Sequence, residues 1–191
     1  MSLKNNANSY GAVSRALHWG IAILAIAAIA FVEIHEIFPK GSEPREGAKL
    51  LHVQLGMLVF GLTWLRLAWR AANPPPAITP APQAWEARLA TLMHVALYAS
   101  MLALPVLGVA MGQASGKTVA FLGSPLPVFL AENKALGKTL KEAHELIGNL
   151  AIGLIAFHAL AALWHHYFKR DDTLARMLPA WLALRLRVRA R

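Results

Sequence analysis

The sequence predicts an all-α integral membrane protein in which four transmembrane helices form a bundle. Of its 191 residues, 57% are hydrophobic and only 15% are charged, whereas soluble proteins average about 25% charged residues. Four apolar segments are long enough to cross a bilayer, because a helical span needs about 20 residues. We therefore expect a single membrane domain over residues 1–191, with helices at about 14–38, 49–70, 88–112 and 142–168.

The first helix follows a polar segment and contains His18 and Trp19 near its start. A cleaved signal peptide is the alternative, because a basic start followed by an apolar stretch is typical of one. We expect a retained span, since a histidine and a tryptophan interrupt the apolar stretch and three more spans follow. Residues 39–48, PKGSEPREGA, then have the proline, glycine and charge content of a loop.

The second helix carries His52 near its start and Arg66 and Arg70 near its end. Residues 71–88 are rich in proline, so they are predicted to form an extended connector outside the bilayer core. The third helix follows and places His94 close to its own start.

The longest connector covers residues 113–139. Its segment VAFLGSPLPVFLA is apolar but too short and too rich in proline to cross a bilayer, so we expect a cap at the membrane interface. The fourth helix ends in WHHYFKR, whose His165 and His166 we interpret as interfacial anchors in an aromatic belt. A basic tail at about 174–191 is predicted to be an amphipathic surface segment.

The charge of the chain is a formal +9, and it concentrates at the ends of the apolar spans. This distribution favours membrane orientation and argues against nucleic-acid binding. Four spans put both termini on the side of the 71–88 connector, which holds twelve Lys and Arg against three acidic residues. The other side holds seven of each. The positive-inside rule therefore predicts cytoplasmic termini.

The chain contains no cysteine. This excludes disulfides, cysteine-ligated iron–sulfur clusters and covalent haem attachment, so any haem has to be held by histidine or methionine. Histidine within a span is costly and suggests a functional site, but a single one is as often a packed hydrogen-bonding residue, so the inference depends on several histidines that match in depth.

Histidines at matching depths are the main functional signal. His144 and His158 stand fourteen positions apart on nearly the same face of the fourth helix, a separation of about 21 Å. His18 lies at the depth of His158, toward the cytoplasm, and His52 lies at the depth of His144, toward the outside. Two such pairs suit two stacked haems, each with both axial positions filled by histidine, which favours electron transfer over oxygen binding.

His94 adds a third candidate at the cytoplasmic depth, where it competes with His18 and His158 for two ligand positions. Periodicity does not decide between the three. The other roles open to His94 are a contact with a haem propionate or with a quinone.

Several motifs resemble the bacterial cytochrome b561 family of four-helix dihaem membrane proteins. The resemblance covers nearly the whole chain and is greatest for the stand-alone members that pass electrons from superoxide to ubiquinone. Its motifs are LHW at 17–19, LHV at 51–53, LALPVLG at 102–108, HE at 144, and HHYF at 165 followed by DDTLARMLP.

The resemblance implies a bundle enclosing two b-type haems, with His18 paired to His158 and His52 to His144, and with His94 free. It also implies an oxidoreductase of the bacterial inner membrane. Such a protein would oxidise superoxide at the periplasmic face and reduce ubiquinone among the membrane lipids, with no obligate protein partner.

Two other functions compete with this one. Cytochrome b subunits of hydrogenases and formate dehydrogenases look similar, and they accept electrons from a partner protein. A haem-free transporter that uses histidines for metal ions or protons belongs to another class. If superoxide is the donor, Lys138 and Lys141, six and three residues before His144, are candidates for steering it, although solvated interface lysines would look the same.

Overall fold

A computed structural model describes residues 2–7, 9–178 and 182. Within these residues, four long helices account for most of the chain: α1 (Ala12–Ile34), α2 (Glu43–Ala72), α3 (Ala84–Ala114) and α4 (Lys134–Trp164). A 3-10 turn (His35–Ile37) extends α1, and a π-helical turn (His165–Lys169) extends α4. All four helices are long and apolar enough to cross a membrane, so the predicted all-α membrane fold is confirmed.

Helices α2 and α4 begin earlier than the sequence analysis predicted, at Glu43 rather than 49 and at Lys134 rather than 142. The start of α2 has Pro44 and Glu46 in its first turn, where the fixed φ of proline and a negative charge both favour a helix. The start of α4 is capped by Asn133, whose Oδ1 accepts the Leu136 N–H at 3.0 Å. Both connectors are correspondingly shorter than predicted.

Helix α3 also starts before its predicted position, at Ala84 rather than 88. The Glu86 carboxylate accepts the backbone N–H of Gln83 at 2.9 Å, which satisfies one of the free amides at the helix start. The proline-rich connector is therefore confined to residues 73–83.

The connector after α3 contains a small antiparallel hairpin, β1 (Ala120–Phe121) with β2 (Ser124–Pro125). Its two turn residues, Leu122 and Gly123, have positive φ values of 50° and 82°. Two-residue hairpin turns commonly need positive φ at both positions. The cap predicted for this stretch is thus partly ordered by backbone pairing.

Two glutamines bind this connector to the helices. Gln54 of α2 donates to the Ala120 carbonyl at 2.9 Å and accepts the Leu122 N–H at 2.8 Å. The buried Gln113 of α3 donates to the Pro127 carbonyl at 2.8 Å and accepts the backbone N–H groups of Phe129 and Leu130. These bonds satisfy backbone groups that the two-residue strands leave unpaired.

Small side chains are buried and large apolar side chains are exposed along the helices. The buried set includes Ala28, Ala110 and Ala151, and the exposed set includes Ile23 and Leu160. Small residues let helices pack closely inside a membrane, while lipid accommodates exposed leucine and isoleucine as well as a protein interior does. The helices therefore have the surface of a membrane protein.

The described residues pack as two compact units. The first comprises the described residues within Met1–Trp19, Leu65–Leu97 and Ile152–Arg191, and the second comprises Gly20–Trp64 and Tyr98–Ala151. Each helix contributes one segment to each unit.

In the first unit, polar contacts join the segment after α4 to α1 and the π-helical turn to α3. Trp19 Nε1 donates to the Met177 carbonyl at 2.9 Å, and Lys169 forms an ion pair with Glu86. Of the predicted basic tail, residues 174–178 are described and include a 3-10 turn (Ala175–Met177). Residues 179–181 and 183–191 lie outside the described residues.

Candidate functional site

The first histidine pair lies in the first unit, where α1 contributes His18 and α4 contributes His158. Their ring centroids are 6.2 Å apart and their planes are inclined by 72°. The sequence analysis matched these two residues by their depth, at which His94 competed with them, and by the family resemblance.

The second pair lies in the second unit, where α2 contributes His52 and α4 contributes His144. Their ring centroids are 6.1 Å apart, with an interplanar angle of 78°. Helix α4 thus contributes one member to both pairs.

The spacing of both pairs fits an iron ion between the two rings. An imidazole nitrogen binds a first-row metal at about 2.0–2.1 Å, so two rings on opposite sides of one iron have centroids about 6.3 Å apart. Both observed separations are close to this value. The inclined ring planes are compatible with an iron between the rings, because each ring can rotate about its bond to the iron.

His94 lies beside the first pair, with its ring centroid 5.5 Å from that of His158. This separation is too short for an iron between the two rings by the same estimate of about 6.3 Å. The Ala90 carbonyl of the same helix lies near the His94 ring. The geometry therefore favours His18 over His94 as the partner of His158.

The surroundings of the second pair orient its rings. Nδ1 of His52 donates to the Ala28 carbonyl at 2.8 Å, which leaves Nε2 unprotonated and available to a metal. Helix α3 approaches His144 at Gly108, where an added Cβ would lie 3.4 Å from the ring. Nδ1 of His144 is buried and has no hydrogen-bond partner among the described residues, although the Leu104 carbonyl is near it.

Among residues 2–7, 9–178 and 182, no three His, Asp or Glu side chains converge as they would around a bare metal ion. Histidine rings instead approach one another two at a time, at the centroid separations given above.

Lys138 and Lys141 lie on α4 and are exposed. Each faces an acid one turn later on the same helix: Lys138 Nζ is 3.9 Å from Glu142 Oε1, and Lys141 Nζ is 3.0 Å from Glu145 Oε1. The positive charge at this end of α4 is therefore partly compensated.

His165 and His166 differ from the interfacial anchors that the sequence analysis predicted. His166 is buried, and Nδ1 of His165 is 2.5 Å from the Asp171 carboxylate. The π-helical turn (His165–Lys169) explains the difference, because its wider winding directs these side chains away from the positions that an α-helix would give them.

Comparisons with known proteins identify the family of the chain. The profile of the prokaryotic cytochrome b561 family matches residues 9–180. The chain is similar to cytochrome b561 homolog 1 of Escherichia coli K12, at 39% identity over 163 residues, or 85% of this chain and 93% of the relative. It is also similar to the probable superoxide oxidase CybB of Yersinia pestis, at 32% identity over 170 residues (89% and 96%), and to cytochrome b561 homolog 2 of Escherichia coli K12, at 30% identity over 179 residues (93% and 95%).

Four membrane-spanning helices that bring histidines together in pairs define a multi-pass membrane cytochrome of the b type, whose work is electron transfer. The chain belongs to the prokaryotic cytochrome b561 family, as its motifs had suggested.

Proposed function

We propose that the protein holds two b-type haems and moves electrons from superoxide to ubiquinone. The observation that carries the haem count is the presence of two histidine pairs at iron-compatible spacing. We assign His18 and His158 to one haem and His52 and His144 to the other. His94 is left for a haem propionate or a quinone.

The protein's own residues determine what such a site can do. Two histidines from different helices would hold each haem, and the chemistry that a haem held in this way would supply is one-electron transfer rather than oxygen binding. The bond from His52 to the Ala28 carbonyl holds the ring in one tautomer and makes Nε2 a stronger ligand.

Superoxide is the donor that the relatives support best, because one of them is named a probable superoxide oxidase. Two superoxide anions lose one electron each and become dioxygen. Ubiquinone takes up the two electrons with two protons and becomes ubiquinol.

The arrangement in the membrane is part of the proposal. We infer one membrane domain in the bacterial inner membrane with both termini in the cytoplasm, since twelve Lys and Arg against three acids lie on that side. The pair formed by His52 and His144 then lies toward the periplasm. We expect the protein to work among the membrane lipids without an obligate protein partner.

The test is anaerobic purification followed by mixing with superoxide and a ubiquinone analogue. We expect two haems per chain, haem reduction within the mixing time, and ubiquinol formed at half the amount of superoxide consumed. Absence of a Soret band would support the haem-free transporter instead. Haems that superoxide leaves oxidised, but that a co-purifying dehydrogenase reduces, would support the subunit alternative.

A double variant tests donor steering at the exposed end of α4. We expect Lys138→Gln with Lys141→Gln to keep both haems but to be reduced more slowly by superoxide, with a flatter dependence on salt, because local positive potential attracts an anion and salt screens it. The matched control, Glu142→Gln with Glu145→Gln, removes the two opposing charges and should be reduced faster. An unchanged rate and salt slope in stopped-flow measurements would exclude both lysines from the mechanism.

A further inference from the structure

The two histidine pairs have different electrostatic surroundings. Close to the first pair, Nη1 of Arg66 donates to the Ser14 carbonyl at 3.1 Å. Ser14 precedes His18 by one turn of α1, so the guanidinium is held next to the helical turn that carries the ligand. The positive charge of Arg66 reaches the rings of both His18 and His158.

The contacts around Arg66 hold it in place and limit its exposure to solvent. Ser14 is buried, and its hydroxyl accepts a hydrogen bond from Trp69 Nε1 at 3.0 Å and donates to Asn5 Oδ1 at 2.7 Å. Arg66 itself is half-buried and lines a small cavity together with Tyr10. A charge fixed in such surroundings is screened less than a charge at an open surface.

The second pair has an anion close to it instead. Glu145 follows His144 directly in the chain, and its negative charge reaches the His144 ring. It is exposed and paired with Lys141 at 3.0 Å, so its field at the pair is largely compensated.

We propose that Arg66 gives the haem held by His18 and His158 a higher reduction potential than the haem held by His52 and His144. This inference rests on the proposed function, because it requires haem at both pairs. Uptake of one electron lowers the charge of a bis-histidine haem site by one unit, and a fixed cation in a medium of low dielectric constant favours the form with less positive charge. One electron passing from the second pair to the first therefore moves downhill, without a proton.

The test is a spectroelectrochemical titration of the purified holoprotein, which should resolve two midpoint potentials. We expect Arg66→Gln to keep two haems and to lower the higher midpoint potential by about 59 mV. This shift corresponds to a tenfold change in the equilibrium constant of a one-electron couple. The lower midpoint stays where it is. Arg66→Lys keeps the charge and is expected to keep the higher midpoint close to that of the unchanged protein.

Arg70→Gln is the matched control. It removes a positive charge one turn further along the same helix, where the charge acts on His94 beside the first pair, so the higher midpoint should fall less than in Arg66→Gln. Unchanged midpoints in Arg66→Gln, a fall of the lower midpoint instead, or an equal fall in Arg66→Lys would overturn the inference.

A second variant covers the case in which Arg66→Gln loses haem. Ser14→Asp keeps Arg66 and adds an anion one turn before His18, and it should lower the same midpoint. A midpoint unaffected by Ser14→Asp would overturn the inference while leaving the proposed function intact. Fewer than two haems in the unchanged protein would contradict the proposed function itself and the inference with it.

Discussion

At the scale of single residues, the distance between histidine rings carries most of the argument for haem. His158 has two histidine neighbours, at 6.2 Å for His18 and 5.5 Å for His94. The longer distance leaves room for an iron between the rings, and the shorter one does not. A difference of less than one ångström thus separates a candidate ligand from a neighbour.

The histidine assignment predicts how haem content responds to substitution. We expect His144→Leu and His158→Leu each to lose one haem or to destabilise the fold, because α4 supplies one ligand to each site. His94→Leu should keep both haems. Haem per polypeptide is measured by the pyridine haemochrome method, and two haems retained in either of the first two variants would refute the assignment.

Asp171 predicts a pH dependence outside the membrane spans. Burial raises the pKa of its carboxyl, but hydrogen bonds from His165 and Thr173 outweigh burial and lower the pKa overall. A lowered carboxyl pKa stabilises the fold above the unfolded value of about 3.9, and this contribution is lost as the pH falls through the folded pKa. A hydrogen bond to a charged group such as the Asp171 carboxylate is worth about 1.5–3 kcal/mol.

We therefore expect Asp171→Asn to lower the temperature at which the haem bands are lost at pH 7. The difference from the unchanged protein should shrink as the pH falls below about 4. Asp172→Asn, at the neighbouring carboxylate, is the control and should show a smaller effect at pH 7. Equal thermal stability of Asp171→Asn and the unchanged protein at pH 7 would contradict this account.

At the scale of elements, two glutamines rather than an extended sheet hold the connector between α3 and α4. The strands of its hairpin have only two residues each. Gln113 alone satisfies three backbone groups of the following segment.

Replacing Gln113 tests this role. Gln113→Leu removes the side-chain partner of backbone groups of Pro127, Phe129 and Leu130, at about 0.5–1.5 kcal/mol for each hydrogen bond lost. We expect trypsin to cleave faster at the exposed Lys117 in the same connector, while both haems are kept. Gln83→Leu changes an exposed glutamine in the connector between α2 and α3, so it should not change the rate of cleavage at Lys117. If trypsin cleaves Gln113→Leu no faster than the unchanged protein, other contacts hold the connector between α3 and α4.

At the scale of the whole molecule, the distribution of Lys and Arg predicts the orientation in the membrane. The chain has no cysteine, so single cysteines can be introduced as unique labels. Lys40 and Ala77 are exposed and lie in the connectors after α1 and α2, on opposite sides of the predicted topology.

We expect a membrane-impermeant maleimide to label Lys40→Cys in intact spheroplasts. Ala77→Cys should react only after lysis, because its connector is predicted to face the cytoplasm. The reverse pattern would overturn the proposed orientation and place the His52–His144 pair toward the cytoplasm instead.

The sequence by itself determined the membrane class, the four spans and the family. Apolar length decides the spans, and this is a local property that does not depend on packing. Helix starts were missed at Glu43 and Lys134 because polar first turns, set by Pro44 and Asn133, lie outside the apolar stretch that marks a span.

Only the tertiary structure decided which histidines approach one another. His18, His94 and His158 share one depth, and sequence spacing predicts only the depth of a residue. The separations of 6.2 Å between His18 and His158 and 5.5 Å between His94 and His158 depend on how each helix is rotated about its own axis. The position of Arg66 beside Ser14 depends on packing in the same way. In the sequence, Arg66 contributes only to a count of positive charges, because the field that it exerts on His18 exists only when two helices meet.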